Sequence, residues 1–180
     1  MKKFELTTEF ITNAFGKKLF RIKALIEFGN VKAGELGGFV EKEENLSHDG
    51  NAWVRENAVV CENAVVCGDA EVRENAVVRG NAEVRENAMV RENAAVCGNA
   101  VVCGNADYAC IKGFGTEFRH TTFYKTKEDG IGVKCGCFYG SLEQFREQVK
   151  ETRNGKIAKE YLMIADLMEY HFASEDSSNE

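Results

Sequence analysis

Residues 51–110 consist of ten consecutive six-residue repeats, and this period constrains the fold more than any other feature of the chain. The second residue of every repeat is Ala, and the fourth is Val in nine of the ten, with Tyr108 in the last. Alternate residues of a strand point to the same side, so the Ala and Val positions share one face. An amphipathic helix needs apolar residues at a spacing of roughly 3.6, which this pattern does not offer. The repeats therefore predict short strands that stack with Ala and Val in a common interior.

The two remaining conserved positions of the repeat fall where the chain must turn a corner. The sixth residue is most often Glu or Gly, and the first is Asn or Asp. Gly permits a positive φ at such a corner, and Asn tolerates one better than most residues do. Asn side chains stacked along a corner can also hydrogen-bond to one another. We therefore expect Asn ladders along the edges of the stack.

The repeats resemble the hexapeptide-repeat left-handed parallel β-helix family, and in particular the YdcK-like proteins of bacteria and phages. The resemblance covers Leu36–Val54 (LGGFVEKEENLSHDGNAWV) as a lead-in, and then the Asn-Ala-x-Val repeats. It implies that three repeats form one triangular coil, so that residues 18 apart stack on each other. It also implies a left-handed coil, whereas the general rule for parallel crossovers would favour a right-handed one. The register extends back to residues 45–50, with Leu46 in the Ala position.

The fold class predicted from these features is mainly β: a short left-handed parallel β-helix of about three to four coils, with an N-terminal β cap and a C-terminal ββαα unit. Both caps are expected because the ends of a β-helix expose unpaired backbone. The predicted domains are residues 1–44 (cap and lead-in), 45–110 (β-helix), 111–172 (ββαα unit) and 173–180 (disordered acidic tail). The elements expected in the caps are strands at Phe4–Phe10 and Lys18–Phe28, a break at Gly29, Gly34, Gly37 and Gly38, strands at Thr116–Lys125 and Ile131–Tyr139, a helix from Ser141, and a helix at Lys156–Phe172.

Composition and charge narrow the classes of partner. The net charge is −6 and no segment forms a basic patch, so we do not expect a nucleic acid as a partner. No apolar run is long enough to cross a membrane, and glutamates interrupt the first ten residues, which therefore do not read as a signal peptide. The odd number of cysteines, seven, favours reduced thiols. We therefore expect a cytoplasmic protein without a membrane partner.

The family also contains acyltransferases, which use a His as general base in a cleft between the subunits of a trimer. The three candidates here are His48, His120 and His171. His48 lies in the lead-in that the resemblance already covers, and residues 51–110 contain no inserted loop of the kind that shapes an acyl-donor site. We therefore predict no catalytic residue, and keep a trimeric acyltransferase as the alternative function.

Cys135-Gly136-Cys137, together with His120 or His171, could suggest a metal site. Zinc sites usually carry cysteine pairs spaced two to four residues apart, and a second pair. In an alternating strand both thiols would lie on one side, which equally suits a packed core. We predict neither a metal nor another cofactor.

One face of the predicted coil carries a column of arginines, Arg55, Arg73 and Arg91. Guanidinium groups suit phosphate and carboxylate ligands, although the neighbouring Glu56, Glu74 and Glu92 could instead neutralise them in a solvated ladder. Trp53 and Met89 share this face and are residue types enriched in binding surfaces. The predicted binding residues, taken together with the start of the C-terminal unit, are Trp53, Arg55, Arg73, Met89, Arg91, Arg119 and His120.

The function predicted from the sequence is that of a non-enzymatic binding or scaffold protein. The resemblance implies that many such chains are encoded by phages and prophages, so a phage accessory protein that sequesters or blocks a host component, such as a defence protein, is one specific form of the hypothesis. The expected partner is a protein or a small anionic ligand, and the protein could also form a homo-oligomer.

Overall fold

A computed structural model describes residues 1–173. It shows a mainly β protein in which a parallel β-solenoid of about four turns is followed by a C-terminal unit that ends in two helices. The prediction of a mainly β protein, with a short parallel β-solenoid followed by a C-terminal unit that contains two helices, is thereby confirmed. The disordered acidic tail was predicted for residues 173–180, and all of these except Ala173 lie outside the described residues.

The solenoid follows the hexapeptide repeat strand by strand. Residues 18 apart pair in parallel, so that Trp53, Glu71 and Met89 stack on one face. The Ala and Val positions that point inward are at most 1% exposed, and they form one continuous core. The strands of the repeats are β4 (Trp53–Val54), β5 (Val59–Val60), β6 (Val65–Val66), β7 (Glu71–Val72), β8 (Val77–Val78), β9 (Glu83–Val84), β10 (Met89–Val90), β11 (Ala95–Val96) and β12 (Val101–Val102).

The corners form as the sequence predicts, with one addition. Gly68, Gly80 and Gly98 have φ between 65° and 79°, but five glutamates at the same position also have φ between 55° and 63°. The Asn ladder is present on one corner, where Asn63 Nδ2 donates to Asn81 Oδ1 and Asn81 Nδ2 donates to Asn99 Oδ1, both at 3.2 Å. The repeat geometry is therefore strong enough to hold glutamate in a backbone region that side chains usually avoid.

The N-terminal cap consists of three antiparallel strands, β1 (Phe4–Thr12), β2 (Lys18–Ala24) and β3 (Leu36–Val40). The first two strands were predicted, but the expectation that Gly37 and Gly38 break the chain is wrong. Both glycines lie inside β3, which pairs in parallel with β5 and so begins the first coil. A Cβ atom on Gly37 would lie 2.6 Å from the Val54 carbonyl oxygen, and one on Gly38 would lie 2.6 Å from that of Ala58. These glycines therefore permit close packing rather than a turn.

The first coil is longer than the others. Leu46 bridges to Val66, twenty residues away, whereas later strands pair at a separation of eighteen. Leu46 therefore takes the position of an inward Val, and its predicted place in the Ala position is wrong. The two additional residues lie between Leu46 and Val54, in the segment that contains His48 and Gly50.

The C-terminal unit contains more strands than predicted. Its four-stranded antiparallel sheet has the order β13 (Tyr108–Ile111), β14 (Thr121–Lys125), β15 (Ile131–Cys135) and β16 (Phe138–Ser141), and it is followed by α1 (Leu142–Thr152) and α2 (Gly155–Phe172). The predicted strand Ile131–Tyr139 is divided by a turn at Gly136, where φ is 56°. The helix beginning at Ser141 is confirmed together with its capping box, in which the Ser141 hydroxyl accepts from Gln144 N.

The tenth repeat leaves the solenoid. Asp107 Oδ2 accepts hydrogen bonds from the backbone N–H groups of Cys103 and Gly104, both at 2.9 Å, and this turns the chain out of the coil. Tyr108–Ile111 then pairs with β14 instead of stacking on β10. A tyrosine is also too large for the inward position that valine fills in the other nine repeats.

The sheet of the C-terminal unit closes the end of the solenoid. Tyr124, on one side of this sheet, belongs to the solenoid core, whereas Phe123, on the other side, packs with the two helices. Thr122 Oγ1 accepts from Ala95 N at 3.0 Å, and Lys127 N donates to the Asn99 carbonyl oxygen at 2.9 Å. The last coil therefore finds partners for backbone groups that would otherwise stay unpaired. Within residues 1–173, neither helix combines the length and the apolar character that crossing a membrane requires.

Candidate binding site

The arginine column, Arg55, Arg73 and Arg91, forms on one outer face as predicted, but its members differ in what surrounds them. Arg55 is engaged by three side chains: its Nη1 donates to Glu35 Oε1 at 2.7 Å, its Nη2 donates to Asn30 Oδ1 at 2.5 Å, and its Nε donates to Glu71. Its side chain is 20% exposed. Arg55 is therefore neutralised within the protein.

Arg73 has weaker partners. Its guanidinium lies 3.9 Å from a Glu71 oxygen and 3.8 Å from a Glu74 oxygen, both beyond hydrogen-bond distance. The acid shared by Arg55 and Arg73 is Glu71, which occupies the third position of its repeat and points outward from β7. The predicted ladder of corner glutamates is thus only partly correct, because Glu74 contributes at a distance and Glu35 and Glu71 neutralise Arg55 in place of Glu56.

Arg91 differs from both. It is exposed, and among residues 1–173 no acidic side chain comes within 4 Å of its guanidinium. It lines a cavity of about 290 Å³ at the point where the solenoid meets β13. The other residues lining this cavity, which we call the Arg91 site, are Met89, Glu92, Asn105, Tyr108 and Cys110.

Asn105 and Tyr108 hold the floor of the Arg91 site. In the lower coils the backbone of each strand bonds to the strand above, but β10 has no such strand. Asn105 Oδ1 instead accepts from Met89 N, and the Tyr108 hydroxyl donates to the Met89 carbonyl oxygen, both at 2.9 Å. The departure of the tenth repeat therefore creates a concave site and fixes its geometry at the same time.

His120 contacts Cys110, which lines the Arg91 site. The Cys110 sulfur is 3.6 Å from His120 Nδ1, and the Thr122 hydroxyl donates to the same sulfur at 3.7 Å. Burial raises the pKa of the Cys110 thiol, whereas a nucleophilic cysteine needs a lowered pKa. A raised pKa disfavours the thiolate form, so this environment does not activate Cys110 as a nucleophile.

Trp53 and Arg119 lie apart from the Arg91 site. The Trp53 side chain is 1% exposed, because β1 and the loop after β2 cover the first coil. It makes edge contacts with the rings of Phe4 and Phe28, at centroid distances of 6.3 and 5.3 Å. Arg119 lines a separate cleft beside α1 and Tyr161. Of the predicted residues, Met89 and Arg91 line one cavity, and His120 lies beside Cys110 at its edge, whereas Trp53 and Arg119 lie outside it.

Sequence reasoning missed Asn105, Tyr108 and Cys110. The available signal was Tyr108, which breaks an otherwise constant run of Val in the repeat. The repeat pattern predicts a tenth repeat that continues the coil, although such a departure indicates where a coil ends.

His48 has a structural environment. Its Nδ1 accepts from Lys3 N at 3.1 Å, its Nε2 lies 2.6 Å from Glu43 Oε1, and its ring stacks on Phe4 at 4.4 Å. Lys3 is itself buried beneath the cap, and burial lowers its pKa to about 8. Both nitrogens of His48 therefore serve the junction between the cap and the first coil.

The Cys135-Gly136-Cys137 segment is a turn and not the alternating strand that was predicted. Cys135 accepts a hydrogen bond from the Thr121 hydroxyl at 3.1 Å, whereas Cys137 is exposed. No cluster of three or more metal-binding side chains occurs within residues 1–173.

The four cysteines at the fifth position of the repeats, Cys61, Cys67, Cys97 and Cys103, are expected to form no disulfides with one another. Cys61 and Cys97 lie two coils apart, about 9.6 Å at the usual strand spacing, which exceeds the Cα separation that a disulfide tolerates. Arg85, the residue between Cys67 and Cys103, donates from Nε to Cys103 Sγ at 3.1 Å. Thiol counting on denatured protein purified without reductant should find all four, and a shortfall would mean that the 18-residue register is wrong.

Comparison with known proteins assigns no family to the chain: no protein-family model matches it, and neither does any curated protein sequence. The interpretation of the Arg91 site therefore rests on its own residues and geometry.

Proposed function

We propose that this chain is a non-enzymatic binding protein that holds an acidic group of its partner, a carboxylate or a phosphate, at the Arg91 site. The observation that carries this proposal is the difference along the arginine column. Arg55 is neutralised within the protein, Arg73 is partly neutralised, and Arg91 faces a cavity without an acidic partner within 4 Å among the described residues. An arginine at the rim of a concave site is suited to a planar anionic group, which its fork of N–H donors can bind in two places.

The remaining residues of the site add specificity to this charge. Met89 offers an adaptable apolar surface, and Tyr108 offers an aromatic ring held in place by its hydroxyl. Glu92, at the same rim, would repel a ligand whose negative charge extends too far. These features favour a partner with one acidic group next to an apolar one, as a protein segment or a small organic acid provides.

The resemblance to the hexapeptide-repeat family supports three further proposals. The coils are left-handed, the protein acts in the cytoplasm, and it is a phage accessory protein that blocks or sequesters a host component. A rigid solenoid that presents one site at its end suits such a role, because an acidic group bound at the Arg91 site is no longer available to other contacts of the partner.

The test compares two arginines on neighbouring faces. Wild type, Arg91→Ser and Arg85→Ser are immobilised, and proteins captured from a bacterial lysate are identified by mass spectrometry. Arg85 is also exposed and also follows an inward Val, but it belongs to another face. A hydrogen bond to a charged group contributes about 1.5–3 kcal/mol to binding, so the Arg91→Ser variant should bind the captured partner with an affinity lower by roughly ten-fold or more.

The Arg85→Ser variant is the control for this test. Arg85→Ser should bind the partner as wild type does, and both variants should melt at the wild-type temperature. Equal affinity of the Arg91→Ser and Arg85→Ser variants would place the binding surface elsewhere on the chain.

A further inference from the structure

Helix α2 carries a second apolar stripe on the side that faces away from the protein. Met163, Leu167 and Tyr170 are 61%, 57% and 83% exposed. They are spaced by four and three residues, so they lie in one row along the helix. A surface helix of this kind normally presents charged and polar residues there.

This stripe serves no purpose in the core of the chain. The opposite side of α2 already supplies Tyr161, Ile164, Ala165, Met168 and Phe172 to the core of the C-terminal unit. Arg146 of α1 donates to Asp166 and Glu169 at 2.9 and 2.7 Å, which fixes α2 in place beside the stripe. The row of exposed apolar side chains is therefore held rigidly and in one orientation.

We propose that α2 is the contact by which two copies of this chain associate, with the two helices antiparallel. A two-fold axis that crosses the exposed side of α2 at the height of Ala165 would place Met163 of each copy against Leu167 of the other. The contact is isologous, since the same two side chains meet twice. Self-complementarity of this kind requires apolar residues at equal distances on either side of the axis, and Met163 and Leu167 satisfy it.

The flanks of the stripe add two more complementary pairs. Residues eleven apart in a helix point in nearly the same direction, since eleven residues make about three turns. Glu160 and His171 are related in this way, as are Lys159 and Tyr170. The two-fold axis would therefore bring Glu160 beside His171 of the other copy, and Lys159 beside its Tyr170.

The same charges argue against an anionic lipid surface as the occupant. Helices that lie on such membranes carry Lys and Arg along their polar flanks. Here Lys156 and Lys159 are interspersed with Glu160, Asp166 and Glu169 around the stripe, so its flanks do not form a basic band. A second copy of the chain satisfies both the apolar row and these flanks of mixed charge.

Sedimentation equilibrium of the full chain tests the association. The average mass should rise from 20.0 kDa towards twice that value as the concentration increases through the micromolar range, because a contact this small gives a weak dimer. Leu167→Glu should weaken the association at least ten-fold. Phe15→Glu, at a residue that is 72% exposed on the turn after β1, should leave it unchanged.

A mixing experiment tests the antiparallel register. Met163→Glu alone and Leu167→Lys alone should each stay monomeric, and an equimolar mixture should form a mixed dimer, because the new Glu and Lys meet only in the antiparallel arrangement. A mixture that stays monomeric would overturn the antiparallel register. The contact itself would be overturned if the wild-type protein stays monomeric at the highest concentration, or if the Leu167→Glu variant self-associates as strongly as the wild type does.

Discussion

Replacing Val78 by Asp is expected to unfold the protein. Val78 lies in β8 with no exposed surface, between Val60 and Val96 of the coils on either side. A carboxylate placed there would meet only Ala and Val side chains, and an unpaired buried charge costs several kcal/mol. That is comparable with the whole stability of a typical domain, which is about 5–15 kcal/mol. Circular dichroism during thermal melting should show either no folded state or a greatly lowered melting temperature.

The control for this experiment is the preceding residue. Val77 belongs to the same strand, points outward and is only half-buried. Val77→Asp keeps the chemical change and reverses the direction of the side chain, so it should cost about 1 kcal/mol, the usual range of strand propensity. Melting temperatures that fall equally in the two variants would mean that the inside and outside of the solenoid were assigned incorrectly.

The interior of the solenoid could be predicted because its information is local. Ala and Val recur every six residues, and this pattern alone shows which side chain of each two-residue strand points into the solenoid. The pairing at a separation of 18 is what the resemblance implies, and it holds for every strand from β4 to β12. No contact between distant segments is needed to assign the inward and outward side chains.

The ends of the solenoid could not be predicted in the same way, because distant segments decide them. Trp53 sits at an outward position, and the repeat alone indicates an exposed side chain. It is buried because β1, more than forty residues earlier, folds back over the first coil. Gly37 was interpreted as a break, although it allows β3 to pass close to Val54.

The Arg91 site could be predicted only in part from the sequence. The repeat predicts that Met89 and Arg91 share a face with Arg55 and Arg73. It does not indicate that Glu35, a residue of the cap, neutralises Arg55 while Arg91 stays without such a partner among the described residues. The sequence shows the charge of each arginine. Whether an acidic side chain neutralises that arginine depends on how the cap and the C-terminal unit fold onto the two ends of the solenoid.

Trp53→Ala should destabilise the protein by about 3–5 kcal/mol, the usual cost of removing a large aromatic side chain from a core. Trp53 is the largest side chain in the core of this chain, with 1% exposure, and it contacts Phe4 and Phe28. Its removal would leave a cavity between the cap and the first coil, so the cap should detach more readily. Chemical denaturation should show the lower free energy of unfolding, and Trp53→Phe, which keeps an aromatic ring, should lose clearly less. Trp53→Ala protein that is still folded should bind the captured partner as wild type does, because the Arg91 site lies two coils away. A loss of binding without a loss of stability would return Trp53 to the binding surface that the sequence first indicated.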